Sequence, residues 1–85
     1  MNMTLTSVLA GMCLAFHGQK YQISQVTYVT EDFVVCEFQE PIQLDGRTEQ
    51  YLAITCDAHV FSIDIFGSPS EFLTVDHGLA QLEAA

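Results

Sequence analysis

A two-residue alternation of apolar and polar side chains, broken only by short turn-like sequences, constrains this chain more than any other feature. The pattern runs from Met12 to Phe66. Successive side chains of a β-strand point to opposite faces, so this period indicates strands with one buried face. Because the interruptions are short, the pattern predicts antiparallel hairpins.

The first hairpin is predicted around Gly18, since glycine adopts the positive φ of a tight turn without steric cost. Pairing across Gly18-Gln19 puts Phe16 opposite Tyr21 and Leu14 opposite Ile23. One face then contains only apolar or aromatic residues: Met12, Leu14, Phe16, Tyr21 and Ile23. Before this hairpin, residues 4–10 are expected to form one short helical turn.

The second hairpin is predicted around Glu31-Asp32, with Val29 facing Val34 and Thr27 facing Cys36. Its two faces are both apolar. The face turned away from the first core carries Val26, Tyr28, Phe33 and Val35. Strands that are apolar on both faces are normally covered twice. The second cover is expected to be a C-terminal helix or another copy of the chain.

The third hairpin is predicted to turn at Asp57-Ala58, so that Cys56 faces His59 and Ile54 faces Phe61. Upstream of it, Asp45-Gly46 is a favourable pair for a tight turn. Between the second and third hairpins the alternation changes phase. A bulge near Pro41 or a longer connection would account for this change, and the pattern leaves both open.

The C-terminal segment, residues 68–85, has a different pattern. Ser68, Pro69 and Glu71 match the N-cap, N1 and N3 positions of a helix. Apolar residues then recur at spacings of three, four and three, which is typical of an amphipathic helix: Phe72, Val75, Leu79 and Leu82. His77, beside Gly78, is interpreted as a cation at a helix C-terminus.

These patterns predict a single, mainly β domain over residues 1–85. We expect residues 1–67 to form a small five-stranded, strongly bent antiparallel sheet or an SH3-like barrel. Residues 68–85 are expected to add a C-terminal amphipathic helix that packs in cis or in trans.

The charge of the chain is strongly acidic and uneven. Two Lys and Arg residues stand against 11 Asp and Glu residues, giving a net charge of −9. Residues 1–30 hold Lys20 and no acid, whereas residues 31–85 hold Arg47 and every acid. Contacts along a phosphate backbone need several basic side chains, so direct nucleic-acid binding is excluded, as is binding to an anionic membrane. The electrostatic field of this negative charge favours a basic protein partner.

Cysteine content and the N-terminal sequence bear on the compartment. Three cysteines are an odd number, which argues against a disulfide framework and for a reducing environment. No Lys or Arg precedes the short apolar run near Met1, and no run approaches the ~18 apolar residues of a membrane span. We therefore expect a cytoplasmic protein.

Cys56 and His59, in the spacing C-x-x-H, are the strongest candidates for chemistry. Together with Cys13 and His17, these two residues resemble a set of four zinc ligands. Residues four apart on one strand are separated by about 13 Å, however, which is too far for ligands of one metal ion. No Gly-rich loop or helix N-terminus follows Cys56 to form an oxyanion hole. We expect no catalytic residue, no metal and no cofactor.

The apolar residues outside the predicted core are the candidate interaction surface. Two sets contribute, one from the second hairpin and one from the tail: Val26, Tyr28, Phe33, Val35, Phe72, Val75, Leu79 and Leu82. An aromatic cage of Phe16, Tyr21, Tyr28 and Phe33 is the weaker interpretation, since two of these face the core.

The sequence thus predicts a non-enzymatic, acidic protein-binding or accessory domain that self-associates, most simply as a dimer. An acidic inhibitor or nucleic-acid mimic that blocks a basic protein is the alternative. A small thiol or metal-dependent enzyme is the third.

Overall fold

The computed structural model describes residues 4–63 and 73–84, which form a small β-barrel with almost no helix. A 3-10 turn at Leu5–Ser7 precedes the strands β1 (Cys13–Phe16), β2 (Gln19–Val29), β3 (Phe33–Leu44), β4 (Arg47–Thr55), β5 (His59–Ile63), β6 (Leu73–Leu79) and β7 (Gln81–Glu83). Neighbouring strands are antiparallel, in the order β6-β5-β4-β3-β2-β1-β7. Only Ala80 separates β6 from β7, so consecutive strands form the two edges of the sheet and the barrel is nearly closed.

The predicted mainly β fold is confirmed, but the five-strand count and the C-terminal helix are wrong. The tail supplies β6, which pairs with β5, and β7, which pairs with β1. The Ala80 amide donates to the Ala58 carbonyl oxygen at 2.8 Å, between these two pairings. Without this segment both sheet edges would have unpaired backbone groups, so tertiary pairing outweighs the local helical spacing. The predicted cap residues Ser68, Pro69 and Glu71 lie outside the described residues.

The barrel interior is a single apolar core. Its buried residues come from the N-terminal turn and from β1 to β5: Leu5, Val8, Leu14, Phe16, Ile23, Val34, Cys36, Phe38, Ile42, Leu44, Leu52, Ile54 and Val60. Along β1, β3, β4 and β5 such residues alternate with residues that face outward, except at the bulge in β3. This arrangement explains the period of two in the sequence.

The first hairpin turns at His17-Gly18 instead of Gly18-Gln19, so Phe16 pairs with Gln19 and Leu14 with Tyr21. His17 has φ of 52° and Gly18 has φ of 74°, as a two-residue type I′ turn requires. The shift changes each residue's partner by two positions, so each side chain stays on its predicted face of the sheet. The predicted inward face is therefore correct, although the predicted pairs are not.

The second hairpin has the predicted pair Val29 and Val34. A register shift between Val26 and Tyr28 then pairs Val26, not Thr27, with Cys36. This bulge turns Val26 towards the interior core, where it packs partly buried.

The third hairpin differs from the prediction by one residue, since Ile54 pairs with Val60 and Leu52 with Ser62. The Ala58 amide donates to the Thr55 carbonyl oxygen at 2.9 Å, and Ala58 has φ of 66°. These features give a three-residue loop over residues 56–58, in which a left-handed residue closes the turn. A loop with an odd number of residues puts each β5 side chain on the opposite face of the sheet from the one that a two-residue turn gives. Phe61 therefore points outward, not inward.

The connection between the second and third hairpins is a bulge, one of the two alternatives that the sequence left open. On β3, Glu37 pairs with Tyr51 and the next described pair is Ile42 with Glu49. Four residues of β3 around Pro41 thus stand against one residue of β4. The strand then continues to a tight turn at Asp45-Gly46, as predicted.

Candidate functional site

Four polar side chains from three parts of the chain meet at one end of the barrel: Asp45, Glu49, Ser62 and His77. The turn at Asp45-Gly46 brings the Asp45 carboxylate within 3.5 Å of His77 Nδ1. The other turn at this end contributes His17, whose Nε2 lies 2.8 Å from the His77 carbonyl oxygen. Both hairpin turns thus contact β6.

Ser62 Oγ bridges two of these side chains. It lies 3.2 Å from Glu49 Oε1, to which it can donate, and 2.6 Å from His77 Nε2. The His77 side chain is fully buried, and its Nδ1 makes no hydrogen bond within the described part of the chain.

The order Asp45, His77, Ser62 resembles the acid, base and nucleophile of a hydrolase, but the geometry does not fit that chemistry. A nucleophilic serine must reach the substrate carbonyl. Ser62 is 0% exposed, so a substrate carbonyl has no approach. The arrangement instead satisfies polar groups where the barrel interior ends.

This cluster corrects the interpretation of His77 as a helix C-terminal cation. His77 lies on β6 and points inward. Its partners are 15 and 32 residues away in the sequence. No local spacing links such residues, because only the closure of the barrel brings them together.

Cys56 and His59 do not face each other, which corrects the predicted register. Cys56 lies in the three-residue loop and packs against the interior core, while His59 begins β5. Thr55 is the residue opposite His59, whose amide donates to Thr55 Oγ1 at 3.2 Å. The ring Nδ1 of His59 contacts the Asp76 carboxylate at 2.9 Å instead.

The His59 and Asp76 side chains shift each other's protonation. The hydrogen bond and charge of Asp76 raise the pKa of His59 above 6.5. Two hydrogen bonds, from the Gly78 amide and from His59, lower the pKa of Asp76. The pair joins β5 to β6 beside the register shift between these strands.

The described residues offer little for thiol or metal chemistry. Burial raises the pKa of the Cys36 thiol to about 12, so it is protonated at neutral pH. Within residues 4–63 and 73–84, no three His, Cys, Asp or Glu side chains are grouped to hold a metal ion. In the same ranges, no helix has the length and apolar character needed to cross a membrane.

The predicted interaction residues are divided by the fold. Phe33 and Val35 form a second, outer cluster with Ala53, and all three are buried within the single chain. Tyr28, paired with Val35, remains 43% exposed. The residues of the tail also separate: Val75 and Leu79 on β6 are exposed, Leu82 packs against the interior core, and Phe72 lies outside the described residues.

The four rings of the proposed aromatic cage are not brought together. Phe16 and Tyr21 pack at 5.1 Å between ring centroids, and Tyr21 contacts Phe38 edge-on at 6.5 Å. This stack belongs to the interior core. Phe33 belongs to the outer cluster.

A gap opens in the barrel wall between β2 and β3. The β2–β3 ladder ends at the pair Ile23 and Phe38. Beyond this pair, residues 19–22 pair only with β1, and residues 42–44 pair only with β4. A cavity of about 270 Å³ lies between the separated strands, lined by Lys20, Tyr21, Gln22, Gln39 and Glu40.

Negative charge predominates on the surface, because the Lys and Arg side chains both pair with glutamates. Lys20 Nζ lies 3.1 Å from Glu83, and Arg47 Nε lies 3.2 Å from Glu49. Three exposed acids occupy the β2–β3 and β4–β5 turns, which are adjacent because Phe33 pairs with Thr55: Glu31, Asp32 and Asp57. A hydrogen bond from Thr55 lowers the pKa of Asp57, which therefore remains ionised.

Comparison of the chain with protein-family models, curated proteins and solved structures gives no significant match.

Proposed function

We propose that this chain is a small, non-enzymatic, acidic protein-binding domain that acts in the cytoplasm on a basic partner. One observation carries the proposal: the only two Lys and Arg side chains are neutralised within the chain, by Glu83 and by Glu49. The exposed acids of residues 31, 32 and 57 are left for an external cation. Charge of this kind steers a basic protein towards the surface and selects against acidic ones.

The test is direct binding of the purified chain to a panel of small basic and acidic proteins at rising salt. We expect affinity only for basic proteins, falling as salt screens the contacts. A triple variant, Glu31→Gln, Asp32→Asn and Asp57→Asn, should weaken binding, whereas Glu37→Gln should have a smaller effect. Equal affinity for acidic and basic proteins would refute the proposal. If the basic protein also binds DNA, competition with a duplex oligonucleotide identifies the chain as a nucleic-acid mimic.

Self-association is a second candidate, supported by large apolar side chains that remain exposed. Tyr28 and Val29 are 43% and 50% exposed, and Leu79 on β6 is 66% exposed. A dimer held by such contacts persists at high salt, unlike an ionic complex. Sedimentation should show a dimer that Tyr28→Asp dissociates and that Leu9→Asp, at another exposed apolar position, leaves intact. A monomer at low and high salt would exclude this candidate.

The SH3-like character expected from the strand count stays a prediction. The third class, a thiol or metal-dependent enzyme, has no comparable support, because the register separates Cys56 from His59.

A further inference from the structure

We propose that the gap between β2 and β3 binds an extended peptide segment that alternates apolar and basic residues, and that this segment joins the sheet as an added strand. The inference deepens the proposed function and rests on it, since it places part of the basic partner in the barrel wall.

The backbone of β2 faces this gap beyond the last β2–β3 pair. The Ile23 amide donates to the Met12 carbonyl oxygen at 2.8 Å, and the Ile23 carbonyl oxygen accepts from the Gly11 amide at 2.8 Å. The backbone of Ile23 therefore points towards β1. Because the direction alternates along a strand, the N–H and C=O groups of Lys20 and Gln22 point the other way, towards β3. The pair Ile23 and Phe38 places the Gln22 carbonyl oxygen against the Gln39 amide, so the Gln22 amide and both groups of Lys20 lie beyond this ladder.

The facing edge of β3 has the same character. Leu44 and Arg47 flank the two-residue turn, so Leu44 and, two residues earlier, Ile42 bond to β4. The backbone of Gln43 consequently points towards β2. Gln39 and Glu40, earlier on the same strand, line the cavity. A strand edge outside the ladder is the surface to which extended peptides add.

The size and the faces of the gap define the occupant. A strand residue occupies about 160 Å³, from a rise of ~3.3 Å, a strand spacing of ~4.8 Å and a sheet spacing of ~10 Å. The 270 Å³ cavity therefore encloses just under two residues of a longer segment. On β2, Tyr21 points to the core and its neighbours Lys20 and Gln22 are exposed. An added strand would match this alternation, with apolar side chains inward and polar ones outward.

Charge selects a basic outward face. Of the charged residues that line the gap, Lys20 is already held by Glu83 at 3.1 Å. Glu40, which is exposed on β3, is left as the uncompensated charge of the lining. Lysine or arginine side chains on the outer face of the added strand would lie beside it, within the negative field of the chain.

A hexapeptide of alternating lysine and valine, acetylated and amidated, is the probe, with fluorescence anisotropy as the readout. Two derivatives carry N-methyl groups either on every valine or on every lysine, which blocks one edge of the strand at a time. We expect at least one derivative to bind about tenfold more weakly than the parent. A glutamate-for-lysine version should not bind. If the parent does not bind, or both methylated derivatives bind as tightly as it does, strand addition is refuted.

A matched pair of variants tests the site on the protein. Gln22→Pro removes the N–H that points into the gap, while Gln22→Ala removes the side chain and keeps that N–H. We expect about tenfold weaker peptide binding for the first and less than a threefold change for the second. Equal binding by a folded Gln22→Pro variant overturns the inference. If that variant does not fold, the methylated peptides decide the matter on the unmodified chain.

The same variants separate this inference from the proposed function. A basic protein that binds in a salt-dependent manner, and equally to the unmodified chain and to Gln22→Pro, refutes the strand addition and leaves the proposed function intact. Failure of every basic protein to bind refutes the proposed function, whatever the peptide does.

Discussion

Replacing Ser62 by alanine tests the buried polar cluster, because it removes the group that joins His77 to Glu49. The 2.6 Å contact with His77 Nε2 and the 3.2 Å contact with Glu49 are both lost. Since Nδ1 of the fully buried ring already lacks a hydrogen bond in the described chain, the variant leaves the ring with neither nitrogen bonded to a described residue. A buried polar group left without a partner costs about 1–3 kcal/mol.

The expected destabilisation is about 2 kcal/mol, a substantial part of the roughly 4–13 kcal/mol that a domain of this length has in total. At about 4–8 °C per kcal/mol for a small domain, Tm should fall by about 8–16 °C. Urea unfolding followed by circular dichroism measures both quantities, and the m-value should not change.

The double variant Ser62→Ala, His77→Leu supplies the control. Removing both partners leaves fewer buried polar atoms without a hydrogen bond than removing one. The destabilisation of the double variant should therefore be smaller than the sum of the two single destabilisations, by about 1 kcal/mol or more. Additive effects, or a Ser62→Ala change below about 0.5 kcal/mol, would refute the role given to this cluster.

Three further predictions concern other parts of the barrel. First, the raised pKa of His59 means that its pairing with Asp76 stabilises the fold fully below the ordinary histidine pKa and loses this effect as pH rises through the raised value. His59→Gln should remove this pH dependence, and an NMR titration that gives a ring pKa below 6.5 would contradict it. Second, Cys36 should resist alkylation at pH 8 until the chain unfolds, whereas the other two cysteines react; mass spectrometry of the native chain showing three labels would contradict its burial. Third, Ala58→Gly should stabilise the chain by about 0.5–1 kcal/mol in urea unfolding, because it relieves a positive φ at a non-glycine residue; destabilisation would argue against the three-residue loop.

The alternation in the sequence predicts strands and their buried faces well wherever a turn keeps an even length. The first hairpin shows this, since its inward face is correct although its turn is displaced by one position. In the third hairpin, a left-handed Ala58 makes the loop odd and inverts the faces of β5. Alanine gives no sign of such a conformation, so the error could not be seen from the residue types.

The helix prediction for the C-terminal segment was wrong for a different reason. Its spacing of apolar residues fits a helix, yet the free edges of β5 and β1 are satisfied only by strands. The β-branched Val75, which favours a strand, and Gly78, which weakens a helix, were the local signals against the helix. The site at His77 depends entirely on this closure and was therefore missed with it.

Amide hydrogen exchange by NMR, with and without the lysine-valine hexapeptide, tests the open β2 edge and its occupant together. In the free chain the Lys20 and Gln22 amides should exchange much faster than those of Tyr21 and Ile23, which bond to β1. Saturation with the peptide should slow Lys20 and Gln22 while leaving Tyr21 and Ile23 unchanged. Equal protection of all four amides in the free chain, or no slowing on addition of peptide, would contradict the account.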